Sequence, residues 1–157
     1  MSIELLPAAA RAIADHAQAT YPDECVGLLL GTLAGEHKRV VSVYPVENRW
    51  DGQVSLGAND NPDSRRDRFY LDPRDYLRAD RTAQAQGLDL VGCYHSHPDH
   101  PAEPSERDRV GAQGVGGGPS FAFVIQSVYA GRATECASWI LCADGSAFSA
   151  EPLHIEE

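Results

Sequence analysis

The sequence predicts an α+β fold, three-layered in the α/β/α manner, with a mixed, mostly antiparallel sheet flanked by helices. Three observations predict it. Strand-like runs outnumber helical patterns. Many neighbouring runs are joined by short turns that suit hairpins. The elements read in the order α, β, β, insertion, α, β, α, β, β, β. At 157 residues, 43% hydrophobic and 23% charged, the chain suits one globular domain over 1–157.

The first helix is expected over Leu5 to about Thr20, because Leu6, Ala9, Ala10, Ile13 and Ala17 recur at helical spacing before Pro22. "CVGLLLG", Cys25 to Gly31, is a short apolar run bounded by glycine and reads as a buried strand. β-branched "KRVVSVYPV" follows the turn at "LAGEH" and should pair with it as a hairpin. Asn48 to Arg68 is rich in Asn, Asp, Gly and Ser and reads as a long irregular insertion, of a length at which loops are usually either functional or disordered. Within it, "RRDR" at Arg65 to Arg68 reads as a solvated patch. Asp72 as N-cap, Pro73 behind it and Gly87 at the end bracket the second helix.

"LDLVGCYH" is then a strand and "PSERDRVGAQ" a short helix. "GVGGGP" is a loop that lacks the Lys-Ser/Thr of a phosphate cradle. "SFAFVIQSV" and "ATECASWILC" are strands, and the Asp144–Gly145 turn leads to "SAFSAEPL" in a final hairpin.

Charge narrows the partners. With 23 acids against 13 bases the net charge is −10, so phosphate-rich partners, nucleic acid or anionic membrane, are not expected. No apolar run reaches the ~20 residues of a membrane span. The N-terminus lacks a basic start before its apolar part, so no secretory signal is expected and a cytoplasmic location is. Cysteines 25, 93, 136 and 142 form no Cys-x-x-Cys pair and sit among apolar residues, as buried small hydrophobes of a reducing compartment do.

The chemistry concentrates in "CYHSHPDHPAEPSERD", Cys93 to Asp108. Along a strand end, His95 and His97 point to one face and Tyr94 and Ser96 to the other. Two imidazoles about 6–7 Å apart along one face can converge on one cation. Pro98, Pro101 and Pro104 stiffen the turn that follows. Ser105 and Asp108, three apart, share a helix face that can turn back to the strand end. Two nitrogens and a carboxylate leave a fourth position open, as in catalytic zinc sites. Ser105 can donate to a developing oxyanion. Glu24, where polar loop meets buried strand, is the best-placed general base, because desolvation there raises a carboxyl pKa.

Blander readings stand beside these. Ser-x-x-Asp is also a capping box, and an N-cap serine can serve both roles. An isolated His-x-His is often a solvated strand end. Asp23 belongs to the turn after Pro22, His100 to a solvated loop, and Cys93 to a packed wall one strand step behind His95. Asp89 and Glu135 read as ordinary strand-end acids.

"HSHPDHPAEPSERD" together with "ECVGLLLG" resembles the JAMM (MPN+) metalloprotease family: His-x-His-Pro, six residues, Ser, two residues, Asp, and an upstream glutamate. "RFYLDPRDYLRA" is similar to its prokaryotic branch, and the element order is similar to the MPN fold from Leu5 to about Leu153. The resemblance implies a zinc-dependent isopeptidase with one Zn²⁺ held by His95, His97 and Asp108. It implies Glu24 as general acid/base and Ser105 as oxyanion stabiliser. The implied substrate is a ubiquitin-like or sulfur-carrier protein of β-grasp shape, cut after its C-terminal Gly-Gly, and a homodimer is compatible. Two other readings remain. One is a non-catalytic MPN scaffold, whose members typically lack the ligands this chain keeps. The other is a zinc hydrolase of another small amide, because the motif fixes chemistry and not substrate. Substrate selection is expected from the 48–68 insertion and the loop around 114–118, with an extended tail docking as an added strand.

Overall fold

A computed structural model describes residues 1–51, 64–115 and 118–157. The tip of the 48–68 insertion, residues 52–63, and residues 116–117 of the glycine loop lie outside the described residues, as does that part of the selection expectation. The elements are β1 (Ser2–Leu5), α1 (Pro7–Thr20), β2 (Val26–Ala34), β3 (His37–Val46), α2 (Pro73–Ala85), β4 (Asp89–Pro98), α3 (Glu106–Gln113), β5 (Ala122–Tyr129), β6 (Arg132–Leu141), β7 (Phe148–Glu151) and β8 (Leu153–Ile155).

The strands form one sheet in the order β7-β6-β5-β4-β2-β3-β1-β8. The β2/β3, β2/β4, β5/β6 and β6/β7 pairs are antiparallel, whereas β4/β5, β1/β3 and β1/β8 are parallel. The α+β reading and the hairpins therefore hold.

Three boundaries differ from expectation. The first helix starts at Pro7 rather than Leu5, because Ser2–Leu5 is a strand, paired with β3 on one side and β8 on the other. The final "SAFSAEPL" run is divided at Pro152: β7 closes the hairpin with β6, and β8 leaves to pair with β1. β4 runs to Pro98, so both histidines of the motif lie inside a strand.

β7 and β8 are separated only by Pro152 yet occupy opposite ends of the strand order, so the sheet curls until its ends meet. Pro152 accepts from Ile3 N at 3.0 Å. At this seam Lys38 of β3 donates to Glu151 Oε1 at 3.0 Å, and Ser138 Oγ donates to Oε2 at 2.8 Å, all of them buried.

Two cores flank the sheet. Ala9, Ile13 and Ala17 of α1 pack with Leu5, Leu29, Val40, Tyr94 and Val124 on one side. Ala79 and Ala83 of α2 and Ala112 of α3 pack with Leu28, Leu30, Cys93 and Phe123 on the other. Alternation along "LLL" sends Leu28 and Leu30 one way and Leu29 the other. Each such leucine contributes about 1.5–3 kcal/mol by burial.

Gly27 is required where it stands, because a Cβ there would lie 2.3–2.4 Å from the Tyr94 ring and hydroxyl. Tyr94 crosses β2 at this point, and its hydroxyl pairs with His16 Nδ1 of α1 at 2.7 Å. α2 begins as expected, Asp72 accepting from Arg74 N at 2.8 Å. The "RRDR" segment departs from the solvated patch expected of it. Arg68 is 3% exposed, lies 5.3 Å over the Trp50 ring and pairs with Asp67 at 2.9 Å, so the arginine is part of the fold.

Candidate metal centre

His95, His97 and Asp108 converge on one buried spot, with Ser105 partly exposed beside them. Strand alternation on β4 brings His95 and His97 side by side, with Nε2···Nε2 at 3.1 Å. α3 enters from the proline-stiffened turn and delivers Asp108. Its Oδ1 lies 3.1 Å from His95 Nε2 and its Oδ2 3.0 Å from His97 Nε2. The helix start is fixed by a reciprocal cap: Ser105 N donates to Asp108 Oδ2 at 2.9 Å, and Asp108 N donates to Ser105 Oγ at 3.1 Å. The capping box therefore holds Asp108 against both imidazoles. A hydroxyl that accepts one bond keeps its own O–H for donation.

Glu24 comes from the other end of the chain. Its backbone is tied on three sides: its N–H donates to Arg65 O at 2.8 Å, its carbonyl accepts from Asn48 Nδ2 at 3.0 Å, and Cys25 N donates to Ser96 Oγ at 2.8 Å. Ser96 sits between the two histidines but on the opposite face of β4, so it joins the Glu24 segment to the strand that carries them. Glu24 is 2% exposed, and its Oε1 has no hydrogen-bond partner. Burial, then the negative charges of Asp108 and Asp67, push its carboxyl well above the usual range.

The histidines differ. Burial lowers the pKa of His95 despite Asp108. Burial pulls His97 down too, but the hydrogen bond and charge of Asp108 and the Pro101 carbonyl outweigh it and raise the pKa overall. Asp108 is itself desolvated, yet the two imidazoles hold its carboxyl well below the usual range. His97 Nδ1 lies 2.9 Å from Pro101 O, a pure acceptor, which places a proton on Nδ1 and turns Nε2 toward Asp108 and the cluster, where a cation would take the place of any proton.

The donor set suits a cation. One ligand atom from each of His95, His97 and Asp108 falls within 4.8 Å of the others. A tetrahedral centre with bonds of about 2.0–2.1 Å places its ligand atoms roughly 3.3 Å apart, close to the 3.0–3.1 Å separations here. Two further polar atoms, His95 Nδ1 and Glu24 Oε1, are buried without partners, which a purely structural cluster would not retain. Above the cluster opens a cleft of about 300 Å³ lined by Glu24, His97 and Ser105 among others.

The residues set aside in the sequence stay outside the cluster. His100 is exposed, and Cys93 packs into the α2/α3 core. Burial pushes the Cys25 and Cys136 thiols up to about 12, so they are inert, and all four cysteines are free. Sequence reasoning missed two contributors. Ser96 was legible only as the middle residue of His-x-His. Phe69 stacks on the His95 ring at 4.4 Å and 30°, and its only signal was an aromatic beside the insertion.

Residues 6–143 match the family described as prokaryotic homologs of the JAB domain. A desampylase of Pyrococcus furiosus is 32% identical over 81 residues, 52% of this chain and 49% of that protein. A probable TtuB-protein conjugate cleaving protease of Thermus thermophilus is 32% identical over 87 residues, 55% of this chain and 47% of that one. A tail tip assembly protein K of Escherichia phage N15 is 33% identical over 98 residues, 62% of this chain and 31% of that one. The chain thus spans a half or less of each of these relatives. A solution structure from Desulfitobacterium hafniense is similar at TM-score 0.76 and 28% identity, covering 99% of this chain and 93% of that one. One from Salinibacter ruber is similar at 0.63 and 33%, covering 94% and 87%.

Proposed function

Because the chain belongs to the prokaryotic homologs of the JAB domain, the prokaryotic branch of the JAMM/MPN+ family, we propose that residues 1–157 form one zinc metallo(iso)peptidase domain. Its substrate is the amide bond after the C-terminal Gly-Gly of a ubiquitin-like or sulfur-carrier protein. The observation that carries the reading is the buried, unpartnered Glu24 carboxylate opening into the same cleft as Ser105, above the His95–His97–Asp108 cluster. The names of the Pyrococcus and Thermus relatives support the substrate class. No helix among the described residues is long and apolar enough to cross a membrane. Four free cysteines suit the reducing cytoplasm in which we place the reaction.

His95, His97 and Asp108 would hold Zn²⁺, which supplies Lewis acidity to the scissile carbonyl and to water. Glu24 takes a proton from the attacking water and returns it to the leaving amine. A carboxyl held above its usual range is suited to both transfers near neutral pH. Ser105 donates its O–H to the developing oxyanion while the cap keeps its Oγ in place. The test is incubation with β-grasp carriers of the same organism, each fused to a C-terminal peptide, with and without a chelator, read by mass spectrometry. Chelator-sensitive release of the peptide after Gly-Gly supports the reading. No cleavage of any carrier by zinc-loaded protein overturns the substrate class.

A further inference from the structure

The turn between the zinc-ligand strand and α3 is gripped residue by residue, and the grip comes from an irregularity in the neighbouring hairpin. Asp99 sits at φ 58, its N–H donates to Val128 O at 2.7 Å, and its carboxylate accepts from Tyr21 Oη at 2.6 Å and from Ala130 N at 2.9 Å. Ser127 Oγ donates to His100 O at 2.7 Å. Ala102 N donates to Glu135 Oε1 at 3.3 Å, and Ala102 O accepts from Trp139 Nε1 at 3.0 Å. Between those two fastened residues lies Pro101. It has no N–H to give, and its carbonyl accepts from His97 Nδ1.

Ser127, Glu135 and Trp139 reach the turn because the β5/β6 register shifts between Gln126 and Val128. Gln126 opposes Cys136 and Val128 opposes Ala133, which leaves one extra residue on β6. Such a bulge re-aims side chains at a cost in ladder hydrogen bonds. Here the cost is offset: the Gln126 side chain, 4% exposed, donates to Ser127 O at 3.0 Å, Glu135 O at 3.1 Å and Thr134 O at 3.3 Å. Parallel pairing with β4 sets Ser127 directly beside His97.

The geometry points to the Gln126-stapled bulge as a positioning device for the metal centre: through Ser127, Glu135 and Trp139 it fixes the backbone of residues 100–102, and so the Pro101 carbonyl that keeps His97 Nδ1 protonated and Nε2 turned to the cation. These residues touch neither cation nor substrate; they act through the backbone. The inference rests on the zinc reading above, and its test separates the two.

The test measures zinc affinity by competition with a fluorescent chelator, and melting of the metal-free protein, for wild type, Trp139→Phe, Ser127→Ala, Glu135→Ala and Glu135→Gln. Outer partners of a ligating histidine carry about ten- to a hundredfold in metal affinity. Trp139→Phe and Ser127→Ala together are expected to weaken zinc binding by that factor. Glu135→Ala, at an exposed position that does not threaten folding, weakens it less. Glu135→Gln, which keeps the accepting oxygen, restores it. Metal-free melting of the two Glu135 variants is expected to match wild type. Unchanged zinc affinity in the Trp139→Phe/Ser127→Ala protein overturns the inference, as does an affinity loss in Glu135→Ala that Glu135→Gln fails to rescue. Wild-type protein that binds no zinc overturns the metal assignment and this inference with it.

Discussion

The sheet seam and the candidate metal centre each bury charged groups, and they are built to opposite rules. At the sheet seam, Glu151 is satisfied on both oxygens, by Lys38 and by Ser138. At the candidate metal centre, Glu24 lies against the negative charge of Asp108, Glu24 Oε1 and His95 Nδ1 lack partners, and two imidazole nitrogens are held 3.1 Å apart. A fully paired cluster closes a fold. A cluster with unpaired polar atoms at ligand spacing is what a centre meant to take up a cation and substrate would show, as proposed above.

Replacing groups in each cluster should therefore move different observables. At the centre, Glu24→Gln is expected to lower kcat by about 10²–10⁴-fold with zinc retained, the usual range for losing a general base; kcat within a few-fold of wild type would remove Glu24 from the chemistry. At the seam, Lys38→Met strands a buried carboxylate and should cost about 3–5 kcal/mol in denaturant unfolding. Changing Lys38→Met, Glu151→Leu and Ser138→Ala together should recover most of that loss, leaving zinc affinity untouched throughout. Ser105→Ala sharpens the contrast, because the proposed mechanism gives a second role to a residue that the structure shows as a cap. Unfolding should register loss of an N-cap, about 1 kcal/mol, while kcat falls about 10²–10³-fold as for a lost oxyanion donor. Equal, small effects on both would leave the serine as a cap alone.

The smallest effect is on stability at the centre itself. In metal-free protein the folded state holds the Glu24 proton above the pH at which the unfolded chain releases it. Stability is therefore lost progressively as pH rises from the ordinary carboxylate range up through the raised folded-state pKa. Glu24→Gln removes that loss. Its metal-free melting temperature should exceed wild type by roughly a few degrees at pH 7, with the gain vanishing below about pH 4. A lower melting temperature at pH 7 would mean that Glu24 is paired after all.

The difference between the clusters also explains what could be read in advance. His95, His97, Ser105 and Asp108 were legible because strand and helix periodicities place them without knowledge of any neighbour. Glu24 was legible from a change of environment, polar loop to apolar strand. The hairpins were legible from their turns. β1 was not: "SIEL" has no turn and little pattern, and it is a strand only because β3 and β8 lie on either side of it. The break at Pro152 was hidden for the same reason, since it answers to the closing of the sheet. Glu135 read as an ordinary strand-end acid, and the Gln126 bulge that turns it toward Ala102 N depends on a register shift that sequence patterning does not encode. The seam pair is equally non-local, uniting Lys38 with Glu151.

The most direct test of the account is zinc content by elemental analysis beside carrier cleavage, in wild type, Glu24→Gln and His97→Ala. The account predicts about one zinc per chain in wild type and Glu24→Gln, little or none in His97→Ala, and cleavage by wild type alone. Full zinc occupancy in His97→Ala would contradict it.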